Sequence, residues 1–280
     1  MRFTDITEKF GVTDIISVNE MKTGHTNRTY LIECEAGKYI LQSLNSNIFK
    51  TPEIVMRNIT LIERAFADEK NITIPHYLSC DNRNYMEQNS EIWRMCRYIE
   101  KSSNAENINY SYGYTVGRFL HVVNAGGFEF ETPINLHNFG LNLPVRNIHG
   151  DTKLDNIIFG DKTAIIDFDT AMRGYICADY GDMIRSVTTK SFNLSTIYEV
   201  THGFANGIGK ILTDNEIKTL YFGIILIINE LLYRYQGGNR NFPNKTPEQC
   251  IEREKQLTIQ LDRINRHEDD IINIINECFE

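Results

Sequence analysis

No two of the six cysteines, Cys34, Cys80, Cys96, Cys177, Cys250 and Cys278, form a CxxC pair, and none stands with histidine at zinc-ligand spacing. A disulfide framework or a structural zinc is therefore not expected, and free thiols in a reducing cytoplasm are. There is no basic excess. Lysine and arginine number 29 against 37 aspartate and glutamate, for a formal charge of −8 and a pI near 5.5. A nucleic-acid partner held by phosphate contacts needs the opposite balance. The longest apolar run, Leu220 to Ile228, falls far short of the roughly 20 residues that span a bilayer. The first residues, Met1-Arg2-Phe3-Thr4-Asp5-Ile6, carry no apolar signal core, so neither a membrane partner nor secretion is expected. Repeats and low-complexity tracts are also missing.

What remains is ordinary globular material: 280 residues, 41% hydrophobic and 24% charged. That length suggests roughly two domains or one large two-lobed unit. The first hundred residues read as β-rich. Ile15 to Lys22, Arg28 to Cys34 and Lys38 to Leu44 form a predicted meander, with turns at 23–27 and 35–37. Thr51-Pro52-Glu53 opens a helix, with Thr51 as cap and Pro52 in its first turn. Ile54, Ile59, Ile62 and Phe66 mark its buried face. Two more strands are expected at His76 to Cys80 and Ile92 to Ile99, the second carrying Trp93-Arg94, which reads either as core packing with an outward arginine or as a nucleotide or acceptor contact. The rest reads as helical, with a helix over Tyr110 to Asn124. Capping boxes stand at Thr213-x-x-Glu216 and Thr246-Pro247-x-Gln249. Leu257, Leu261 and Ile264 share one face of a long helix near the C-terminus.

Among these helices lies an island of short strands. His149-Gly150-Asp151-Thr152-Lys153-Leu154-Asp155-Asn156 leads into the apolar Ile157-Ile158-Phe159, a turn at 160–162, and the apolar Ala164-Ile165-Ile166, which ends in Asp167-Phe168-Asp169. Hairpin strands lie about 5 Å apart, so Asn156 and Asp167 can face one small volume. Phosphoryl transfer needs a carboxylate to orient and deprotonate the acceptor hydroxyl, oxygen ligands for Mg²⁺, and a cation for the transferred group. Asp151 suits the first role, Asn156 and Asp167 the second, and Lys153 the third. Asp169 would orient acceptor or metal, or simply end the strand.

The block resembles the catalytic loop of the protein-kinase-like fold. Its His-Gly-Asp form is similar to the aminoglycoside phosphotransferase and choline kinase superfamily. The strings HGDTKLDNIIF…IIDFDT…ADYGDMIR and GHTNRTYLI…KYILQSLN…F…TPEIVMRNI look most like the N-acetylhexosamine 1-kinase branch. The resemblance runs from about Gly24 to Arg185. It implies an α+β fold in two lobes: a small antiparallel-sheet nucleotide lobe over 1–98 and a larger, mostly helical catalytic and acceptor lobe over 99–280. It also implies an ATP- and Mg²⁺-dependent kinase acting on a small-molecule hydroxyl, with a sugar as the leading acceptor and choline, aminoglycosides or amino-acid alcohols as alternatives. A monomer or weak dimer is expected. By position, Gly24, His25, Thr26 and Asn27 would form the nucleotide loop. Tyr98 and Glu100 would lie in the hinge beside adenine, Asp179 would brace the catalytic loop, and Asp182 and Arg185 would face the acceptor.

The sequence departs from that pattern in three ways. The nucleotide loop has one glycine. The strand position that carries a phosphate-binding lysine in protein kinases is Gln42, a neutral group, and the helix glutamate available to pair with such a lysine is Glu63. The stretch from Leu136 to Arg146 is short where sugar 1-kinases carry a long helical segment. The missing lysine also motivates a rival reading, a nucleotide-binding regulator without turnover. A protein kinase is disfavoured by the absence of the HRD, DFG and APE signatures.

Overall fold

The computed structural model describes residues 3–21, 26–101, 107–134, 139–236 and 245–280. A short helix α1 (Phe3–Thr7) precedes the strands β1 (Ile15–Met21), β2 (Arg28–Cys34) and β3 (Gly37–Ser43), which form the expected meander. Helix α2 (Pro52–Ala65) follows, and then β4 (Met86–Gln88) and β5 (Glu91–Arg97) complete an antiparallel sheet in the order β1-β2-β3-β5-β4. The fourth strand is therefore not His76 to Cys80. That segment makes isolated bridges, Tyr77 to Cys96 and Cys80 to Arg83, beside the part of β5 that β4 does not reach.

The strand period of two divides the sheet into two faces with different duties. Ile32, Tyr39, Leu41, Trp93 and Met95 pack under Ile6, Phe10 and Val12 of the N-terminal segment. The opposite face carries Gln42 and Arg94, which are direct cross-strand partners, together with Ile92, which joins the core beneath α2.

Helix α2 starts at Pro52 as read, but Thr51 makes no side-chain cap bond. Its buried face is Val55, Met56, Asn58, Ile59 and Ile62, with Phe66 just beyond. Ile54 is only half-buried. The buried Asn58 amide donates to the carbonyls of Glu131 and Ala171, 2.8 Å each, and accepts from the Glu131 amide at 3.0 Å. One side chain thereby ties α2 to the segment after the catalytic hairpin.

Helix α3 (Ile108–Ala125) leads to β6 (Arg146–Ile148), β7 (Ile157–Ile158), β8 (Ala164–Ile165) and β9 (Met172–Gly174). The last of these pairs with β6 and was not read from the sequence. The helices α4 (Ile176–Thr188), α5 (Leu194–Ile208), α6 (Asp214–Lys218), α7 (Leu220–Tyr235), α8 (Pro247–Arg266) and α9 (Glu268–Phe279) complete the largely helical part. Both capping boxes form as expected. Leu257 and Ile264 of α8 are fully buried. The acidic run Glu268-Asp269-Asp270 is exposed in the first turn of α9, where it complements the positive end of the helix dipole.

Helix α4 is seated by backbone contact. A Cβ at Gly181 would stand 2.3 Å from the Gly223 carbonyl oxygen of α7, and one at Gly223 would stand 2.0 Å from the Cys177 carbonyl oxygen. Only glycine at both places lets the two helices approach this closely. All six cysteines are free thiols. Among the described residues, no helix is long and apolar enough to cross a membrane.

Candidate active site

The residues after β6 are fixed from behind by α4. Asp179 accepts hydrogen bonds from the backbone amides of His149 (2.7 Å) and Gly150 (2.8 Å), and the Thr152 hydroxyl donates to the Asp179 carbonyl at 2.6 Å. The Tyr112 hydroxyl of α3 donates to the Thr152 carbonyl at 2.5 Å. Gly150 has φ +80°, and a Cβ there would lie 2.5 Å from the Thr170 carbonyl oxygen. Both the conformation and the space require glycine. This is the bracing role expected of Asp179.

His149 is completely buried, edge-on to Phe119 and Phe168. Its Nδ1 accepts from the Asp151 amide at 3.3 Å and its Nε2 faces the Ile166 carbonyl at 3.1 Å, which assigns the proton to Nε2. Burial pushes its pKa down to about 4, so it is neutral at pH 7 and holds the loop to the hairpin without carrying charge.

Asp151 presents its carboxylate beside Lys153 at 2.5 Å, with both side chains partly exposed. The Asn156 Nδ2 donates to the Asp151 carbonyl (2.7 Å) and carboxylate (3.0 Å). Burial raises the Asp151 pKa, but Lys153, His149 and Asn156 outweigh it and the net direction is down. The group is thus an ionised acceptor with two oriented donors, suited to holding a hydroxyl and receiving its proton as that hydroxyl reacts.

The Ile166 amide donates to the Asn156 carbonyl at 3.0 Å, so Asp167 follows directly on a residue bonded to Asn156. Asp167 adopts φ 70° and ψ 63°, a left-handed conformation uncommon outside glycine and tolerated by aspartate better than by most residues. Its pKa is pushed up to about 7, by burial first and then by the neighbouring carboxylates Asp169 and Asp151. Among the described residues, no cluster of three His, Cys, Asp or Glu side chains is placed to hold a metal unaided. The donor set still fits a magnesium ion that arrives on phosphates, which takes few protein ligands. Asp167 is crowded with negative charge that a dication would relieve. Asn156 spends its nitrogen on Asp151, which leaves its oxygen to ligate.

Of the remaining expected residues, Gly24 and His25 lie outside the described residues, as do Lys22, Ser102 and Leu136 to Asn138. The Thr26 carbonyl accepts from the Asn45 side chain, and Asn27 accepts from the Asn45 amide at 3.0 Å while donating to Asp169. Gln42 donates to the Thr29 hydroxyl at 3.1 Å. The Tyr98 amide is taken up by the Lys38 carbonyl at 2.9 Å, so any adenine contact in the hinge falls to the groups after it. The Glu100 side chain is exposed and meets Lys38 at 3.4 Å. Asp182 and Arg185 form a buried ion pair one turn apart on α4, at 2.8 Å. Asp169 is also buried.

The sheet wall holds two surprises. Arg94 does not point outward to solvent. It is 1% exposed, donates from Nε to Gln42 Oε1 at 3.0 Å, and stands 2.6 Å from Asp169. Glu63 is not the partner of a strand cation. It accepts from the Tyr77 amide at 2.8 Å and from the Asn84 side chain. A cavity of about 790 Å³ lies outside the catalytic loop, against α2, and is lined by Arg57, Thr60, Glu63, Tyr77, Asn84 and Glu131 among others.

With this geometry in place, comparison with known proteins identifies the class. Residues 129–205 match the model of the phosphotransferase enzyme family, APH. The fold is similar to a microcompartment-associated aminopropanol kinase, at 13% identity and TM-score 0.69, covering 95% of this chain and 96% of that one. It is also similar to an aminoglycoside phosphotransferase from Alicyclobacillus acidocaldarius subsp. acidocaldarius, at 10% identity and TM-score 0.70, covering 98% and 96%. A third likeness is a spectinomycin phosphotransferase in complex with ADP and spectinomycin, at 13% identity and TM-score 0.58, covering 94% and 92%. These likenesses show the fold: an α+β chain with a five-stranded antiparallel sheet followed by a largely helical part, as in the phosphotransferase structures named.

Proposed function

We propose that this protein transfers the γ-phosphoryl group of ATP to a hydroxyl of a small polar molecule. The observation that carries the reading is the Asp151 carboxylate, held between Lys153 and Asn156 on a loop that Asp179 pins by two backbone amides. In this reading Asp151 orients the acceptor hydroxyl and takes its proton as the new O–P bond forms, while the bond from the γ-phosphorus to the bridging oxygen breaks and ADP leaves with that electron pair. Lys153 holds Asp151 and offsets charge on the phosphoryl group. Asn156 and Asp167 would hold Mg²⁺, which supplies charge neutralisation at the phosphates. Residues 1–98 would carry the nucleotide and 99–280 the catalytic loop and acceptor site.

For the acceptor we favour the anomeric hydroxyl of an N-acetylhexosamine, on the sequence resemblance alone. A second reading, an amino alcohol, is favoured by the likeness to an aminopropanol kinase and by the carboxylate oxygen Asp182 Oδ2, which is buried without a hydrogen-bond partner among the described residues. A cationic or hydroxyl-bearing acceptor could satisfy that atom.

The test is ADP formation with Mg-ATP across N-acetylglucosamine, N-acetylgalactosamine, other free sugars, choline, aminopropanol and aminoglycosides, with Asp151→Asn protein as control. Acceptor-dependent ADP that disappears in the control supports the kinase reading and names the acceptor. ATP binding without turnover on any acceptor would favour the regulator.

A further inference from the structure

We propose that Arg94 is the residue that binds the α- and β-phosphates of the nucleotide, in place of a lysine at position 42, and that Asp169 is the counter-ion that holds it for that role. This assignment rests on the ATP-dependent reading above and decides between the two readings that the sequence leaves open for Arg94.

Gln42 and Arg94 face each other across β3 and β5, and directly opposed Cβ atoms stand about 5 Å apart. Arg94 Nε donates to the end of the Gln42 side chain at 3.0 Å. The guanidinium therefore sits within one hydrogen bond of where the ammonium of a lysine at 42 would reach. The positive charge is supplied by the neighbouring strand, and the glutamine positions it.

The usual helix glutamate is not needed for this. Glu63 is committed to the Tyr77 amide and to Asn84. The counter-charge comes from Asp169, 2.6 Å from Arg94 Nη1, and Asp169 is itself gripped by Asn27 at the end of the nucleotide loop. The Tyr77 ring lies 5.3 Å from the guanidinium carbon and supports its cationic face. The chain thus links the end of the nucleotide loop, the hairpin and the sheet through one cation.

Two details argue that this pair does more than hold the fold together. Arg94 Nη1 and Asp169 Oδ1 stand 2.6 Å apart as a buried ion pair whose alignment is not that of a regular hydrogen bond. A guanidinium has five donors in a fixed fork that matches phosphate oxygens, so Arg94 can hold Gln42 through Nε and Asp169 through Nη1 and still donate to an incoming phosphate. The other cation at the catalytic loop, Lys153, is engaged by Asp151. Without Arg94, the sheet wall would offer no cation at the Gln42 position for two of the three phosphates.

The experiment is calorimetric titration of ATP, ADP and adenosine into wild-type protein and the variants Arg94→Lys, Arg94→Met and Arg94→Met with Gln42→Lys. Thermal unfolding would be measured on each. We expect Arg94→Met to weaken ADP and ATP at least 30-fold while adenosine changes less than twofold, and Arg94→Lys to fall in between. Adding Gln42→Lys should restore at least tenfold. Should the variants carrying Arg94→Met fail to fold, Arg94→Lys decides alone, an ADP affinity within threefold of wild type then overturning the assignment. ADP affinity within threefold of wild type in Arg94→Lys, with no gain from the added lysine, would overturn the assignment. So would a parallel loss of adenosine binding, which a purely structural role predicts. Folded wild-type protein that binds no ATP at all would overturn the underlying kinase reading, and that result is read before any variant is made.

Discussion

The loop from His149 to Asn156 and the sheet face around Gln42 both carry charged pairs, but the pairs are assembled differently. On the loop side the charged pairs are near neighbours in sequence: Asp151 with Lys153, and Asp182 with Arg185 on one turn of α4. On the sheet side the charged pair, Arg94 with Asp169, joins β5 to the end of the catalytic hairpin and is almost fully buried. On the loop side Asp151 and Lys153 are partly exposed, while Asp182 and Arg185 behind them are buried. The sheet side buries its pair, so each charge depends on the other to offset the cost of leaving water. Local pairs make chemistry that a motif can announce. Distant pairs make chemistry that only the fold assembles.

The sharpest way to break this contrast is at Asp151. Replacing it by Asn keeps the shape and the hydrogen bonds to the loop but removes the proton acceptor. General-base catalysis is worth roughly 10²–10⁴-fold, so turnover should fall by about 10³-fold while ATP affinity changes little. Steady-state ADP release and a binding titration check both halves. Turnover retained in that variant would move the reaction away from the loop altogether.

Next in size is Asp179→Ala. Two buried backbone amides would lose their acceptor, each worth about 1–3 kcal/mol when unsatisfied. Stability should drop by roughly 2–5 kcal/mol, read as a lower urea midpoint, and activity should fall with it. Asp179→Asn, which keeps one accepting oxygen, should recover part of the loss. Gly150→Ala comes third. The positive φ and the 2.5 Å approach to the Thr170 carbonyl should cost about 1–3 kcal/mol, with turnover reduced more than stability because the strain falls beside Asp151.

The same contrast explains what the sequence revealed. The meander, α2, α3, both capping boxes and the apolar hairpin were legible because periodicity and end signals act over a few residues. The string from His149 to Asn156 stood out in the sequence because the groups it offers fall within eight positions. His76 to Cys80 misled because its apolar pattern serves bridging contacts beside β5, while the real edge strand, Met86–Gln88, is three residues long and shows no alternation to detect. β9 was missed for the same reason. Arg94 was left open, as an outward residue or a nucleotide or acceptor contact, because alternation reports which face a side chain takes and not what lies across that face. The signal that could have found it is the pairing of Gln42 with Arg94, and that depends on a strand register no local pattern sets. The close seating of α4 on α7 was likewise hidden, since Gly181 and Gly223 have meaning only once the two helices are known to touch.

The smallest expected effect is a test of how the loop side balances its buried groups. His149 titrates at about 4 in the folded protein against about 6.5 unfolded. Its contribution is therefore present above pH 6.5 and lost as pH falls through the window between 6.5 and 4. Asp167 shifts the other way, to about 7 from about 3.9 unfolded. Its protonated form favours folding, so its contribution is present at low pH and is lost as pH rises through 7. Between pH 7.5 and 5, in the absence of divalent metal, the two should offset and leave wild-type stability nearly flat. Asp167→Asn should then expose the histidine, losing about 1–2 kcal/mol over that range, and His149→Gln should expose the aspartate, gaining a similar amount. Urea unfolding at several pH values in a chelating buffer reads both slopes. Slopes of the same sign in the two variants would mean that these groups do not set the pH response, and that the balance lies elsewhere among the carboxylates lining the site.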